Sequence, residues 1–371
     1  MIKKLRINKV SICLVLVVLM LVAFGCVMIY SASMYSAQYH FGNPLFFVYK
    51  QIIGIVLGLF LMILFSFVDY HILKKFRYIF LGVTLILLVL VFIPGIGVES
   101  YGAKRWLSLM GFSIQPSEIA KFALVLFLAS YLSDHHDKIK SFKALIPAVA
   151  VAGVLCLLVI LEPSMSVTMC LCLITFFMLV IGGITKKHTI MFSIPAACAV
   201  PLLILSEPYR LKRLFAFINP WASPQGEGFQ LIQSLYSLGS GGFFGVGLFS
   251  SRQKYLFLPF AESDFIFSII GEELGFFGVT FVILCFALLT LMIFKIAFNA
   301  KDRFGALLAS GVGIVIAVQT ILNIAVVTGS IPPTGLPLPF ISAGGTSVMV
   351  FMAAIGVVLN VDRQSRKSVI Q

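Results

Sequence analysis

Charge is what this chain has least of. Only 11% of its 371 residues are Asp, Glu, Lys or Arg, where an ordinary soluble domain has about a quarter. Acids number 14, and no spacing of them forms an all-protein metal cage. The seven cysteines (Cys13, Cys26, Cys156, Cys170, Cys172, Cys198 and Cys285) sit in apolar runs, so neither a disulfide frame nor a metal knuckle is indicated. There is no internal repeat, low-complexity tract, P-loop or dinucleotide fingerprint; Gly239, Gly241, Gly242, Gly245 and Gly247 read as turns. These absences exclude a soluble enzyme, a disordered chain and a nucleic-acid module.

What remains is hydrophobic, at 60% of residues. A bilayer core takes about 20 apolar residues per helix. Ten runs qualify: Ser11–Tyr30, Gln51–Phe67, Tyr78–Pro94, Pro116–Leu132, Ala144–Leu161, Ser166–Ile184, Ile190–Ser206, Asp264–Phe294, Phe304–Val327 and Thr346–Val361. The first is too long for a signal-peptide core and reads as an anchor. The eighth exceeds what a span needs, so its start is expected at the interface. The expectation is an all-α polytopic membrane protein, one domain over residues 1–371 with ten transmembrane helices.

The net charge of +13 has a simple cause. With the N-terminus in the cytoplasm, every inside segment is short and basic, as the positive-inside rule requires. These segments hold 18 of the 27 Lys and Arg residues, including Lys74, Lys75, Arg77, Lys186, Lys187, Arg363 and Arg366. No nucleic-acid partner is needed to explain the charge, and both termini are expected to be cytoplasmic. Most of the remaining cations lie in two outside segments, 95–115 and 207–263. The second, between spans seven and eight, is too long to be a mere connector.

Polar residues inside spans are expensive and usually face a bundle interior. Glu118 and Lys121 are three residues apart at the start of the fourth span, so they share a helix face. They form either a structural ion pair or the lining of a cavity open to the outer surface. At the start of the eighth span, Ser268, Glu272 and Gly275 fall within roughly 80° of Asp264 on a helix. Glu273 points the opposite way, as a packing or pairing residue would. Asp264 is placed equally well for a helix N-cap and for chemistry. The four prolines of 332–339 exclude helix there. Gly344, Gly345, Thr346 and Ser347 open the tenth span, where free amides and hydroxyls either make a rigid turn or bind phosphate oxygens. Even-numbered spans start at the outer face, so Glu118, Glu162, Asp264 and Thr346 gather near helix ends that favour an anion. Lys104, Arg105, Arg210, Arg213, Arg252 and Lys254 either add cations there or form a solvated, headgroup-binding surface.

Several segments together, in this order, resemble the SEDS family (shape, elongation, division and sporulation), whose members include FtsW, RodA and SpoVE. They are YSAS at 30–33, GAKRWL at 102–107, QPSEIAK at 115–121, RLKRLFAFINPWASPQGEGFQ at 210–230, SLGSGGFFGVGL at 237–248, SDFIFSIIGEELG at 263–275 and PPTGLPLPFISAGGTS at 332–347. The flavour is that of the division or sporulation branch. The resemblance implies a peptidoglycan glycosyltransferase acting on lipid II, beside a class B penicillin-binding protein and other divisome membrane proteins. It places the family's essential acid on Asp264 and its buried Glu and Lys on Glu118 and Lys121. Two segments depart from the family. Its Pro-Glu-Ala-His-Thr-Asp stands here as Pro259-Phe260-Ala261-Glu262-Ser263-Asp264, so roles of that Glu and His do not transfer. Its Gln-Pro-Asp-Leu-Gly-Thr stands as Glu162-Pro163-Ser164-Met165-Ser166-Val167, with the acid moved.

The expected chemistry follows. Asp264 takes the proton from an acceptor sugar hydroxyl, and undecaprenyl pyrophosphate leaves without needing an acid. Substrate-binding candidates are Glu118, Lys121, Arg105, Arg210, Arg213, Lys254, Ser342, Gly344, Gly345 and Thr346. A divalent cation (Mg or Mn) could share the diphosphate, although no protein ligand set for it is evident. Rival readings are a lipid II flippase and a non-catalytic scaffold for a penicillin-binding protein.

Overall fold

The computed structural model describes residues 9–100, 103–109, 112–205 and 207–367. Lys3, Lys4 and Arg6 of the first inside segment lie outside these residues. In chain order the helices are α1 (Lys9–Phe41), α2 (Phe46–Phe67), α3 (Tyr70–Lys75) and α4 (Arg77–Leu90). Three strands follow: β1 (Gly97–Ser100), β2 (Ala103–Leu109) and β3 (Phe112–Ile114). Then come α5 (Pro116–Asp134), α6 (Phe142–Leu161), α7 (Met165–Ile181), α8 (Lys186–Leu205), α9 (Pro208–Ile218) and α10 (Phe229–Ser240). The chain closes with α11 (Ile266–Phe298), α12 (Arg303–Val327) and α13 (Gly345–Lys367).

Among the described residues, seven helices are long and apolar enough to cross a membrane: α1, α2, α5, α6, α11, α12 and α13. α4 and α7 are apolar but shorter. α5 and α12 are buried on nearly every side and pack on each other at the centre, which is why their apolar residues show no one-sided stripe. α2 lies along α13. Small residues permit this: a Cβ at Gly54 would come within 2.7 Å of the Gly345 backbone, and one at Gly356 within 2.4 Å of the Met62 carbonyl oxygen.

The long α11 is two helices. Gly275 has φ 63° and ψ −158°, a conformation open to glycine and strained for other residues. The break frees backbone groups that membrane helices normally satisfy internally. Residues 242–247 supply the replacements. Phe276 N donates to Gly242 O at 2.9 Å, Val246 N to Glu272 O at 2.9 Å and Gly247 N to Glu273 O at 3.0 Å. The run expected to begin at the interface is thus broken where a loop inserts beside it.

The segment 95–115 is not a plain loop. It forms an antiparallel sheet of order β1-β2-β3, with Leu107 opposite both Gly97 and Ile114. Along a strand, alternate residues share a face. Arg105 therefore lies on the face that buries Leu107. The sheet also reaches α13: Thr346 Oγ1 donates to Ser113 O at 2.8 Å.

Candidate functional site

Asp264 sits two residues before α11, so it is not held by regular helix geometry. Its own backbone carbonyl accepts from Asn323 Nδ2 of α12 at 2.8 Å, and the same amide donates to Leu336 O at 2.7 Å. The neighbouring Ser263 carbonyl accepts from Ser342 Oγ at 2.6 Å, and Ala343 N donates to Glu262 O at 2.9 Å. Two segments distant in sequence, 262–264 and 335–343, are thus stitched together around one carboxyl group. Asp264 makes no side-chain N-cap bond to α11, whose N-cap is Phe265.

Asp264 is half-buried. Gly335 walls one side; a Cβ there would come within 3.0 Å of Asp264 Oδ2. Burial raises the Asp264 pKa to about 7, opposed first by the Arg105 guanidinium and assisted by the Glu262 charge. Arg213, on α9, opposes it more weakly. Burial also pushes Glu262 up, with His40 acting the other way. An acid with a pKa near neutrality is suited to accept a proton during turnover.

Arg105 is anchored by backbone. Its Nε donates to Glu162 O at 3.1 Å and its Nη2 to Pro163 O at 2.5 Å. It feels Arg213, Tyr209, Asp264 and Glu162. Arg213 is about half exposed and lies 3.7 Å from Glu227. Arg210 is buried, with Nε donating to the Tyr209 hydroxyl at 3.1 Å. Asp264, Arg105 and Arg213 therefore form one electrostatic cluster.

Other candidates are occupied elsewhere. Lys121 and Glu118 are fully buried and paired at 2.6 Å. Lys121 also donates to Gln319 Oε1, Ser347 Oγ donates to Glu118 Oε2 at 3.0 Å, and Gln319 Nε2 donates to Pro337 O at 2.8 Å. This chain of bonds ties α5, α12 and α13 to the proline-rich segment, as the ion-pair alternative describes. Lys254 is buried against Glu273 at 3.5 Å and donates to Phe249 O; it braces the loop over α11. Glu273 also accepts from Ser31 Oγ at 2.6 Å, so it is the pairing residue its position suggests. Gly344 N donates to Gln51 Oε1 at 3.2 Å. With Thr346 bonded to Ser113 O and Ser347 to Glu118, the Gly344–Ser347 turn is tied to α2, β3 and α5. Ser342 braces the Asp264 loop.

Asn323 and Gly335 are the site residues the sequence reading missed. Asn323 lies four residues after Gln319 in an apolar span, and that polar i, i+4 pair is the signal that could have found it.

Residues 11–367 match the family model for the FtsW, RodA and SpoVE cell cycle proteins. The chain belongs to the FtsW/RodA/SpoVE family. It is similar to stage V sporulation protein E of Bacillus subtilis (strain 168), at 40% identity over 95% of this chain and 97% of that protein. It is 38% identical to the probable peptidoglycan glycosyltransferase FtsW of Geobacter sp. (strain M18), over 97% of this chain and 99% of that one. Among solved structures, a chain of a peptidoglycan synthase complex that coordinates polymerization and crosslinking superposes with a TM-score of 0.78, at 29% identity over 95% and 97% of the two chains. The rod shape determining protein RodA of Thermus thermophilus superposes at 0.70, with 26% identity over 95% and 96%. The resemblance of the scattered motifs to this family thus extends over nearly the whole FtsW/RodA/SpoVE chain, including the segments that hold Asp264.

Proposed function

We propose that this chain is a peptidoglycan glycosyltransferase that polymerises lipid II at the outer face of the cytoplasmic membrane during division or septum formation. The observation that carries the reading is Asp264: a half-buried acid on a loop fixed by Asn323 and Ser342, raised toward neutrality by burial and acted on by the charges of Arg105 and Arg213. Asp264 accepts the proton of the acceptor sugar hydroxyl. That oxygen attacks the anomeric carbon of the lipid-linked glycan with inversion, and the glycosyl–phosphate bond breaks. Pyrophosphate needs no proton to leave, so a single base suffices, unlike the carboxylate pair of a hydrolase. A positioned base is worth about 10²–10⁴ in rate.

Arg105 and Arg213 balance the departing diphosphate. Arg210 lies on the same helix as Arg213 and supports that surface. Glu118 and Lys121 hold α5, α12 and α13 in register, with Gly344, Gly345 and Thr346 at the start of α13. Lys254 fixes the loop over α11. A divalent cation (Mg or Mn) fits the diphosphate rather than a protein cage; among the described residues no three His, Cys, Asp or Glu side chains gather.

The ten apolar runs of the sequence overlap α1, α2, α4, α5, α6, α7, α8, α11, α12 and α13. This overlap supports ten spans, one membrane domain over residues 1–371 and an outside segment at 207–263. The basic inside segments support cytoplasmic termini. A class B penicillin-binding protein and other divisome membrane proteins are the expected partners. The test reconstitutes purified protein with lipid II, with and without that partner. Long glycan strands are expected; lipid translocation without polymer would instead mark a transporter.

A further inference from the structure

Glu162 follows the last residue of α6 and is fully buried. Neither carboxyl oxygen accepts a hydrogen bond from a described residue. A charged carboxylate in such a place is costly, whereas a neutral acid is tolerated. Arg105 is the charged group that acts on it, yet the guanidinium is not paired with the carboxylate. It is held by the backbone carbonyls of Glu162 and Pro163 instead.

The segment after this turn also reaches the residue that lies against Asp264. Gly335 N donates to Ser166 Oγ at 3.0 Å, and Gly335 is the residue that lies against Asp264 Oδ2. Facing Glu162 from β2 is Arg105. Beyond Arg105 stand Arg213 and Tyr209 of α9 and Asp264 before α11. An arginine held by carbonyls keeps its full charge. One that faces an ionised carboxylate at short range loses much of its field.

Resting on the glycosyltransferase reading, we propose that Glu162 is a positioning residue that switches Arg105: as a neutral acid it leaves the guanidinium charge free for the lipid-linked diphosphate, and as a carboxylate it cancels that charge. Burial pushes the Glu162 acid up to about 8, with Arg105 opposing. The acid is therefore mostly protonated at pH 7. Above pH 8 its proton passes to bulk water, and the diphosphate loses its counter-charge.

The test measures lipid II binding in the Asp264→Asn background, which removes turnover and the titration of Asp264 itself. Affinity is measured at pH 7 and pH 9. Between these values it is expected to fall about tenfold, the size of one charge-assisted hydrogen bond. With Glu162→Gln added, which is neutral at both pH values, the change is expected to stay within about twofold. Arg105→Gln in the same background should flatten the profile as well, and serves if the Glu162 variant does not fold. An equal fall with and without Glu162→Gln, or no fall in Asp264→Asn alone, overturns the switch. No binding of lipid II by the wild-type protein at pH 7 would instead count against the glycosyltransferase reading itself.

Discussion

Gly335 and Asp264 compete for the same space: a Cβ on residue 335 would stand 3.0 Å from Asp264 Oδ2. The absence of a side chain at one position therefore sets where the other can hold its carboxyl. Gly335→Ala is expected to displace that oxygen by a few tenths of an ångström and to lower kcat about tenfold, since misplacement of about 1 Å can cost 10²-fold. Thermal unfolding should be little changed. Polymerisation kinetics beside a melting curve check both halves; unchanged kcat would mean that the carboxyl is not held by this wall.

Proton uptake by Asp264 predicts an acidic limb in the pH profile. Its pKa is raised to about 7, chiefly by burial. The base form is thus lost as pH falls through about 7, and kcat/KM should fall with it. Arg105 favours the ionised form. Arg105→Gln is therefore expected to move the limb to higher pH, apart from any loss of substrate affinity. A limb that stays in the ordinary carboxylate range in both proteins would contradict the assignment.

Lys121 and Glu118 make a different prediction. Lys121→Ala leaves the Glu118 carboxylate buried without its cation, which costs about 3–5 kcal/mol. Loss of activity in this variant should come with loss of folded protein. Lys121→Met combined with Glu118→Gln removes both charges and should restore much of the folded yield. Recovery by the pair, measured as monodisperse protein after extraction, is the expected outcome. Full folding of Lys121→Ala alone would assign the lysine to substrate rather than to structure.

Asn323→Leu removes the amide that holds Asp264 O and Leu336 O together. One buried and one part-buried carbonyl lose a donor, at up to about 1–3 kcal/mol each. Stability and kcat should fall together, with KM for lipid II less affected. A rise in KM alone would place Asn323 at the substrate instead.

Much of this arrangement was legible along the chain, and the reasons differ by residue. Glu118 and Lys121 were readable as a pair because helical spacing alone puts them on one face, and Glu273 was readable as a pairing residue from its angle to Asp264. The kink at Gly275 was half visible as a run too long for a span. The sheet of 97–114 was hidden in a segment of Gly and Ser, although Arg105 and Leu107 alternate as strand residues do. Lys254 read as a substrate cation because its partner Glu273 is 19 positions away, on another element. Thr346 and Ser347 read equally as a rigid turn or a phosphate site because the carbonyl of Ser113 and the carboxylate of Glu118, which take their hydroxyls, are likewise remote. Contacts made across the bundle leave no mark on local spacing.

The most direct measurement is glycan polymerisation by purified Asp264→Asn supplied with lipid II, beside wild type, with folding and partner binding checked on the same preparation. The substitution keeps size and removes the base. A folded, partner-competent protein that makes almost no glycan is the expected result, a loss of about 10²-fold or more. Polymerisation at near wild-type rate by that variant would remove Asp264 from the chemistry and contradict the account.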